Sequence, residues 1–208
     1  MAAASPSPSE QAARVFELYG LAPSFEIDLR DLEDRLRQAS LAWHPDRFAL
    51  QGEAARLEAE DKMAEFNDAF PLLRDPARRA ELLLNWLGVA PTQGTDAEAD
   101  PAFLMAMMEL REEAEAARTQ LAQDAAPAQQ FIQRMQQAEA ELLERFHAAF
   151  AELPEEARAG AGTAEAANQD PPHPQLAALR RLFYELRYHQ RSREQLQDAL
   201  RHDGTQIP

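Results

Sequence analysis

The sequence predicts an all-α protein with two helical domains, and three observations support this. Apolar side chains recur at intervals of three and four residues, which is the period of an amphipathic α-helix. No stretch shows convincingly the alternation of apolar and polar residues that is typical of a half-buried strand. Proline, glycine and aspartate mark where the helical stretches begin and end. The 208 residues are enough for one or two domains with a buried core.

The first predicted domain spans residues 12–88 and follows a tail, residues 1–11, that we expect to be disordered. It begins with a short helix that starts near Ala13 and runs into Gly20. A longer helix is predicted over residues 29–43. Its apolar stripe, spaced 3, 4, 3, 4, consists of Leu29, Leu32, Leu36, Ala39 and Trp43.

A second long helix, predicted over residues 53–73, and a short helix complete this domain. The stripe of the long helix consists of Met63, Phe66, Phe70 and Leu73. The short helix has clear boundaries, since Asp75 is placed as an N-cap, Pro76 as the first helical residue and Gly88 just past the end. Two antiparallel helices with short flanking helices make a small all-α domain.

The second predicted domain, residues 101–203, is a three-helix bundle that follows a linker at residues 89–100. The linker is recognised by its change of composition. Residues 154–174 are rich in alanine, glycine and proline and poor in large apolar side chains, so we expect a flexible loop. The three helices are expected at about residues 101–124, 128–153 and 175–200.

Composition narrows the classes of function. A net charge of −15 weighs against nucleic acid and anionic membrane surfaces, and favours a basic protein surface as the partner. No run approaches the roughly 18 apolar residues of a membrane span, and the first residues lack the features of a signal peptide. The absence of cysteine excludes disulfides and thiolate metal sites and suits a cytoplasmic protein. The histidines match no metal-ligand spacing, so we expect neither a metal nor a cofactor.

The most informative motif is His44-Pro45-Asp46, between the two long helices of the first domain. Pro45 lacks an N–H and disfavours a helical residue before it, so the preceding helix must end near Trp43. His44 and Asp46 are then expected at the tip of a helical hairpin, where a carboxylate suits a bidentate contact with an arginine of a partner. Such a tripeptide arises by chance in about one chain in a hundred of this length. Taken alone, it is also consistent with a simple helix stop.

In its context the motif resembles the J-domain of DnaJ-type co-chaperones. The segments HPDRF, FNDAF and RDPARRAELLL resemble more specifically the HscB family of iron–sulfur co-chaperones. The segment DPAFLMAMMELREEAEAA, residues 100–117, is similar to the C-terminal signature of that family. The resemblance extends from about residue 12 to residue 200.

This resemblance implies that the J-domain docks on a DnaK/HscA-type chaperone ATPase and stimulates ATP hydrolysis in that partner. The implied chaperone-binding residues are His44, Pro45, Asp46, Arg47, Arg35 and Arg37. The helix before the motif departs from the usual basic pattern, because three acidic residues balance its three arginines at positions 30, 35 and 37. For each of these arginines, two alternatives therefore stay open: a contact with the chaperone, or a position that is simply exposed to solvent.

The first helix of the second domain has two apolar faces at about 100° per residue. One face is the core stripe: Phe103, Met107, Leu110, Ala114, Ala117 and Leu121. The other carries Leu104, Met105 and Met108, with glutamates beside them. One bundle cannot bury both faces, so the second either docks on the other domain or forms an exposed apolar patch.

The resemblance implies that this second face binds the iron–sulfur scaffold IscU. The implied scaffold-binding residues are Leu104, Met105, Met108, Glu109, Glu112 and Phe183. One acidic position of the family's patch is Ala116 here. The sequence therefore predicts a monomeric, non-enzymatic co-chaperone in iron–sulfur cluster assembly. The alternatives are a general J-protein for unfolded clients and a helical hydrolase in which His44 and Asp46 form a catalytic pair.

Overall fold

The computed structural model describes residues 6–48, 51–89, 101–158, 161–162 and 174–203. These residues form two compact units. The N-terminal unit contains the described residues up to 89 together with those of 154–162, and the C-terminal unit contains residues 101–153 and 174–203. The described residues include helices and no strand, so the predicted all-α fold is confirmed. The predicted linker, residues 89–100, lies outside the described residues except for Val89.

The N-terminal unit contains two long helices, α2 and α4, that pack against each other. The predicted boundaries of both agree with the structure to within one residue. The turn between α2 and α4 contains a short helix that was not predicted. The helices that precede the linker are α1 (Pro8–Leu18), α2 (Leu29–Ala42), α3 (Pro45–Phe48), α4 (Glu53–Arg74) and α5 (Pro76–Trp86).

The prediction of a disordered tail over residues 1–11 is wrong for residues 8–11, because these residues belong to helix α1. The Ser7 hydroxyl accepts a hydrogen bond from the Glu10 N–H at 3.2 Å, and the Glu10 carboxylate accepts one from the Ser7 N–H at 2.7 Å. This capping box satisfies N–H groups that a helix start leaves unpaired, and Pro8 occupies the first helical position. The hydrogen bond from the Ser7 backbone lowers the pKa of Glu10.

The core of the N-terminal unit lies where α1, α2, α4 and α5 meet. Its fully buried side chains include Phe16, Leu32, Leu73, Leu83 and Leu84. Tyr19, directly after α1, donates its hydroxyl to the carbonyl of Phe66 at 2.8 Å. Its ring meets the ring of Phe66 edge-on, with centroids 5.2 Å apart. Burial raises the pKa of Tyr19 to about 12.

The C-terminal unit is a bundle of three long helices, as predicted. They are α6 (Pro101–Gln120), α7 (Ala126–Ala151) and α9 (Pro174–Asp203). Between α7 and α9 lies a largely buried ion pair, with Arg193 Nε 2.7 Å from Glu139 Oε1. The buried core between the helices includes Phe131, Met135, Phe146, Leu179, Leu186 and Leu196.

The segment expected to be a flexible loop, residues 154–174, contains regular structure where it is described. Helix α8 (Glu155–Arg158) forms one turn, and Ala157 is buried. Gly162 donates its N–H to the carbonyl of Trp86 at 2.8 Å. These residues belong to the N-terminal unit, although the chain before and after them belongs to the C-terminal unit. Residues 159–160 and 163–173 lie outside the described residues.

Candidate protein-interaction surfaces

The His44-Pro45-Asp46 motif lies at the turn that follows α2. Helix α2 ends at Ala42, the C-cap residue Trp43 still donates its N–H to Ala39 O at 2.8 Å, and Pro45 begins α3. The side chain of His44 is 55% exposed and that of Asp46 is 92% exposed. The Asp46 N–H donates to His44 Nδ1 at 3.4 Å, and the Arg47 N–H donates to His44 O at 3.0 Å. Local hydrogen bonds therefore hold this turn while its two polar side chains face solvent.

Two contacts support the turn. The rings of Trp43 and Phe48 stack with centroids 6.0 Å apart and planes 8° from parallel. Arg47 donates from Nη1 to Leu41 O at 2.5 Å, which satisfies a carbonyl in the last turn of α2. The side chain of Arg47 is exposed, but one edge of its guanidinium is already used.

The two predicted arginines of α2 have different surroundings. Arg35 pairs with Asp31 at 2.7 Å and donates from Nη1 to Tyr19 O at 2.8 Å, so it fastens the end of the α1 segment to α2. Arg37 pairs with Asp34, at 2.8 Å, and with no other residue among those described, and its side chain is 68% exposed. An exposed pair of this kind exchanges at little cost, so Arg37 is the freer of the two for a partner. The role of both arginines as chaperone contacts stays a prediction.

Three apolar side chains of α6 lie exposed side by side and are called here the methionine patch: Leu104, Met105 and Met108. Leu104 is 43% exposed, and Met105 and Met108 are each 62% exposed. The other face of the same helix is turned inward, with Phe103 and Ala117 buried. The patch is thus an apolar surface on an otherwise polar face of the bundle.

Carboxylates border the methionine patch. Glu109 and Glu112 are exposed on the same helix. Glu115 is paired with Arg118, which holds the pKa of Glu115 below its usual range through their hydrogen bonds of 2.7 and 2.9 Å. A shallow cavity of about 390 Å³ next to the patch is lined by Met108, Arg111, Glu112 and Glu115.

Phe183 differs from the other predicted scaffold contacts because it is only 2% exposed. In this structure it is a core residue of the bundle, and its role as a contact stays a prediction. Another aromatic residue of α9, Tyr188, reaches α6, because its hydroxyl donates to Met107 O at 2.7 Å. Sequence reasoning missed Tyr188. The available signal was helical spacing, since Tyr188 lies four and eight residues before the buried Ser192 and Leu196 and so shares their face of α9.

The part of the chain that the structure describes holds no cluster of three or more histidines, aspartates or glutamates that could bind a metal ion. None of its helices combines the length and the apolar character that crossing a bilayer requires. The only predicted pair of polar groups with catalytic potential, His44 Nδ1 and Asp46 Oδ2, is 3.7 Å apart and solvent-exposed.

A family model described as the HSCB C-terminal oligomerisation domain matches residues 99–197. The co-chaperone protein HscB homolog of Vibrio vulnificus is 44% identical over 100 residues, which cover 48% of this chain and 58% of that protein. The homolog of Shewanella oneidensis is 43% identical over 97 residues, covering 47% of this chain and 56% of that protein. The matched region thus spans a little over half of the length of these relatives.

Two solved structures resemble the chain over most of its length. Chaperone HscB from Vibrio cholerae is 28% identical with a TM-score of 0.64, and the match covers 89% of this chain and 98% of that chain. The human co-chaperone protein HscB, at 21% identity, supports the fold alone, with a TM-score of 0.68 over 88% of this chain and 80% of that chain. The chain is thus similar to HscB proteins in sequence over residues 99–197 and in fold over most of its length, and the two units agree with the predicted fold of a J-domain followed by a C-terminal helical bundle.

Proposed function

We propose that this chain is a cytoplasmic co-chaperone of iron–sulfur cluster assembly. Its J-domain would address a DnaK/HscA-type chaperone ATPase, and its C-terminal bundle would carry an IscU-type scaffold. The observation that supports this proposal is that each unit of a chain similar to HscB proteins exposes side chains of a predicted binding surface. Asp46 is 92% exposed in the first unit, and Met105 and Met108 are 62% exposed in the second.

The turn at His44-Pro45-Asp46 suits recognition of a cationic partner. Among the described residues, Asp46 forms no ion pair with an arginine or lysine, so its carboxylate is available for a bidentate contact with an arginine of the ATPase. The stacked rings of Trp43 and Phe48 keep the turn in shape before binding, which reduces the entropy lost on association. ATP hydrolysis takes place in the partner, and this chain supplies contacts only.

The methionine patch suits a protein partner with an apolar spot bordered by basic groups. Methionine side chains adapt to the shape of a partner, and burial of the patch supplies the hydrophobic part of the affinity. Glu109 and Glu112 at the border, together with the net charge of −15, favour a basic surface around that spot. The narrowness of the patch argues against a general binder of unfolded chains, which would need a broad apolar groove.

Both surfaces lie on one chain, so a bound scaffold is kept near the chaperone ATPase. Such tethering raises the effective concentration of the scaffold for the second binding event without any new contact. The alternative of a hydrolase with His44 and Asp46 as a catalytic pair is disfavoured, because both side chains are more than half exposed. An active site needs a nucleophile and groups that stabilise developing charge, and a solvated pair provides neither.

The steady-state ATP turnover of the source organism's own HscA-type chaperone tests this proposal. We expect the protein to stimulate turnover, and the scaffold to increase the stimulation further. The His44→Gln variant should lose most of the stimulation, because the chaperone contact loses its imidazole. The matched control is His202→Gln, which changes an exposed histidine at the end of α9 and should stimulate like the wild type.

The outcomes separate the two proposed surfaces. Stimulation without an added effect of the scaffold would point to a J-protein with a different client. Equal stimulation by the wild type and by His44→Gln would contradict the proposed role of the motif, and would leave Pro45 as a helix stop only.

A further inference from the structure

A groove lies between α6 and α9 on the bundle, next to the methionine patch. Its volume is about 490 Å³. Three arginines, Arg111, Arg118 and Arg191, line it, while Glu115 is the single acidic residue among its lining residues. The lining therefore carries a net charge of about +2, on a chain whose total charge is −15. This groove is called here the arginine groove.

The positive charge of the arginine groove is only partly compensated. Arg118 is paired with Glu115, at 2.7 Å between Nη2 and Oε1. Arg191 is exposed and forms no hydrogen bond or ion pair with any residue that the structure describes. A guanidinium in this position has all of its donors available for a carboxylate, and the planar fork of arginine matches a carboxylate with two hydrogen bonds.

The floor of the groove is held in place by the bundle core. Leu196 and Ser192 on α9 are buried, at 2% and 8% exposure. Tyr188 connects the two walls through its hydrogen bond to Met107 O. A groove between two packed helices is largely formed before a ligand arrives, so little ordering opposes binding there.

The arginine groove and the methionine patch form one continuous surface. Arg111 and Glu115 line both the groove and the shallow cavity that borders Met108. A protein that covers the patch therefore reaches the groove without leaving the surface of α6. Nucleic acid would offer anionic phosphates, but the net charge of −15 opposes its approach.

We propose that the arginine groove binds a carboxylate-bearing segment of the same scaffold partner that covers the methionine patch. This inference rests on the proposed function and extends it, because it adds a basic subsite to a surface bordered by glutamates. An acidic stretch or a chain terminus of the partner would pair with Arg191 and exchange with Glu115 for Arg118. The two halves of the surface then demand opposite charges from the partner, which fixes the orientation of the complex.

Calorimetric titration of the protein with the source organism's IscU-type scaffold tests the groove. We expect Arg191→Gln to weaken binding about fivefold at low salt, which is typical of a partly exposed charged contact. The double variant Arg118→Gln/Arg191→Gln should weaken binding about tenfold or more and reduce its dependence on salt. The matched control is Arg201→Gln, on the same helix but outside the groove and paired with Asp198, which should bind like the wild type.

A Met108→Glu variant separates failure of this inference from failure of the proposed function. If Met108→Glu abolishes binding while Arg191→Gln binds as tightly as the wild type, the groove proposal is overturned and the scaffold surface remains. If the wild type does not bind the scaffold at all, the proposed function fails and the groove proposal fails with it. Sedimentation velocity gives the third outcome: self-association of the wild type that Arg191→Gln removes would assign the groove to a second copy of this chain instead.

Discussion

Arg79 illustrates how one buried charge shapes the N-terminal unit. Its side chain is 5% exposed, yet its donors meet three backbone carbonyls, at 2.5 Å for Phe25, 2.7 Å for Leu73 and 3.1 Å for Arg74. Those carbonyls belong to the segment before α2 and to the junction of α4 and α5, so Arg79 connects them. Burial lowers the pKa of Arg79, and the nearby Asp75 carboxylate acts in the opposite direction. The guanidinium also lies over the ring of Phe25, 5.7 Å from its centroid.

We expect Arg79→Met to lower the free energy of unfolding by about 2–4 kcal/mol, because it leaves buried carbonyls without donors while keeping most of the apolar stem. Urea denaturation followed by circular dichroism measures the change. Arg78→Met is the matched control, since Arg78 is the exposed neighbour in the same helix and should change stability by less than about 0.5 kcal/mol. Equal effects of the two substitutions would contradict the structural role of Arg79.

The adjacent Arg78 and Arg79 show what the local sequence cannot predict about burial. The segment RDPARRAEL predicts a capped helix, and α5 begins where that pattern places it. The segment does not indicate which of the two arginines, Arg78 or Arg79, is buried. One acceptor of the hydrogen bonds of Arg79 is Phe25, in the segment before α2, which lies far away in the chain. Arg35 is a similar case. The family resemblance implies that Arg35 contacts the chaperone, and the fold in addition uses its guanidinium to bind Tyr19 O.

The structure of the segment around α8 also depends on a contact with a residue far away in the chain. Helix α5 ends at Trp86, whose carbonyl has no partner within the helix, and the Gly162 N–H satisfies it at 2.8 Å. Gly162 has φ +79°, and an added Cβ would lie 2.9 Å from Trp86 Nε1. The alanine- and glycine-rich composition predicts a loop, but it cannot predict that Trp86 receives part of that loop.

We expect Gly162→Ala to release this segment from Trp86, because the substitution combines a left-handed backbone with a close contact. Amide hydrogen exchange at residue 162 should become about tenfold faster, since the strained backbone alone is worth about 1–2 kcal/mol. Gly52→Ala is the control: Gly52 also has a positive φ, +103°, but nothing lies within 4 Å of an added Cβ. That variant should leave exchange at residue 162 unchanged. Unchanged exchange in Gly162→Ala would mean that the contact with Trp86 does not hold the segment.

At the scale of the whole molecule, the sequence predicted what depends on local pattern. The ends of α2 and α5 follow from caps and prolines, and the second apolar face of α6 follows from its period. The start of α1 was missed although Ser7 and Glu10 carry the spacing of a capping box. Tyr188 was missed although it lies on the same face of α9 as the buried Ser192 and Leu196, at intervals of four residues. The exposure of His44 and Asp46 agrees with their expected place at a hairpin tip, while their role stays a prediction.

We expect the stability of the bundle to depend on pH through His189. This residue of α9 is half-buried, and its Nδ1 has no hydrogen-bond partner among the described residues. Burial lowers the pKa of His189, and the carboxylates of Glu185 on α9 and Glu139 on α7 oppose this shift, although Glu139 is paired with Arg193. The imidazole of His189 therefore binds a proton less readily in the folded state than in the unfolded chain, in which histidine titrates near 6.5.

Stability contributed by His189 is then complete above about pH 6.5 and decreases as the pH falls below that value, until the lower pKa of the folded state is passed. We expect the unfolding free energy of the wild type to decrease relative to that of His189→Gln as the pH falls from 7 to 5. Urea denaturation at a series of pH values measures this difference. Glu10 and Glu115, whose pKa values are lowered, lose their contributions only below about 4.5 and are shared by both proteins, so they cancel. A difference that does not vary with pH would show that the neighbouring carboxylates offset the burial of His189 completely.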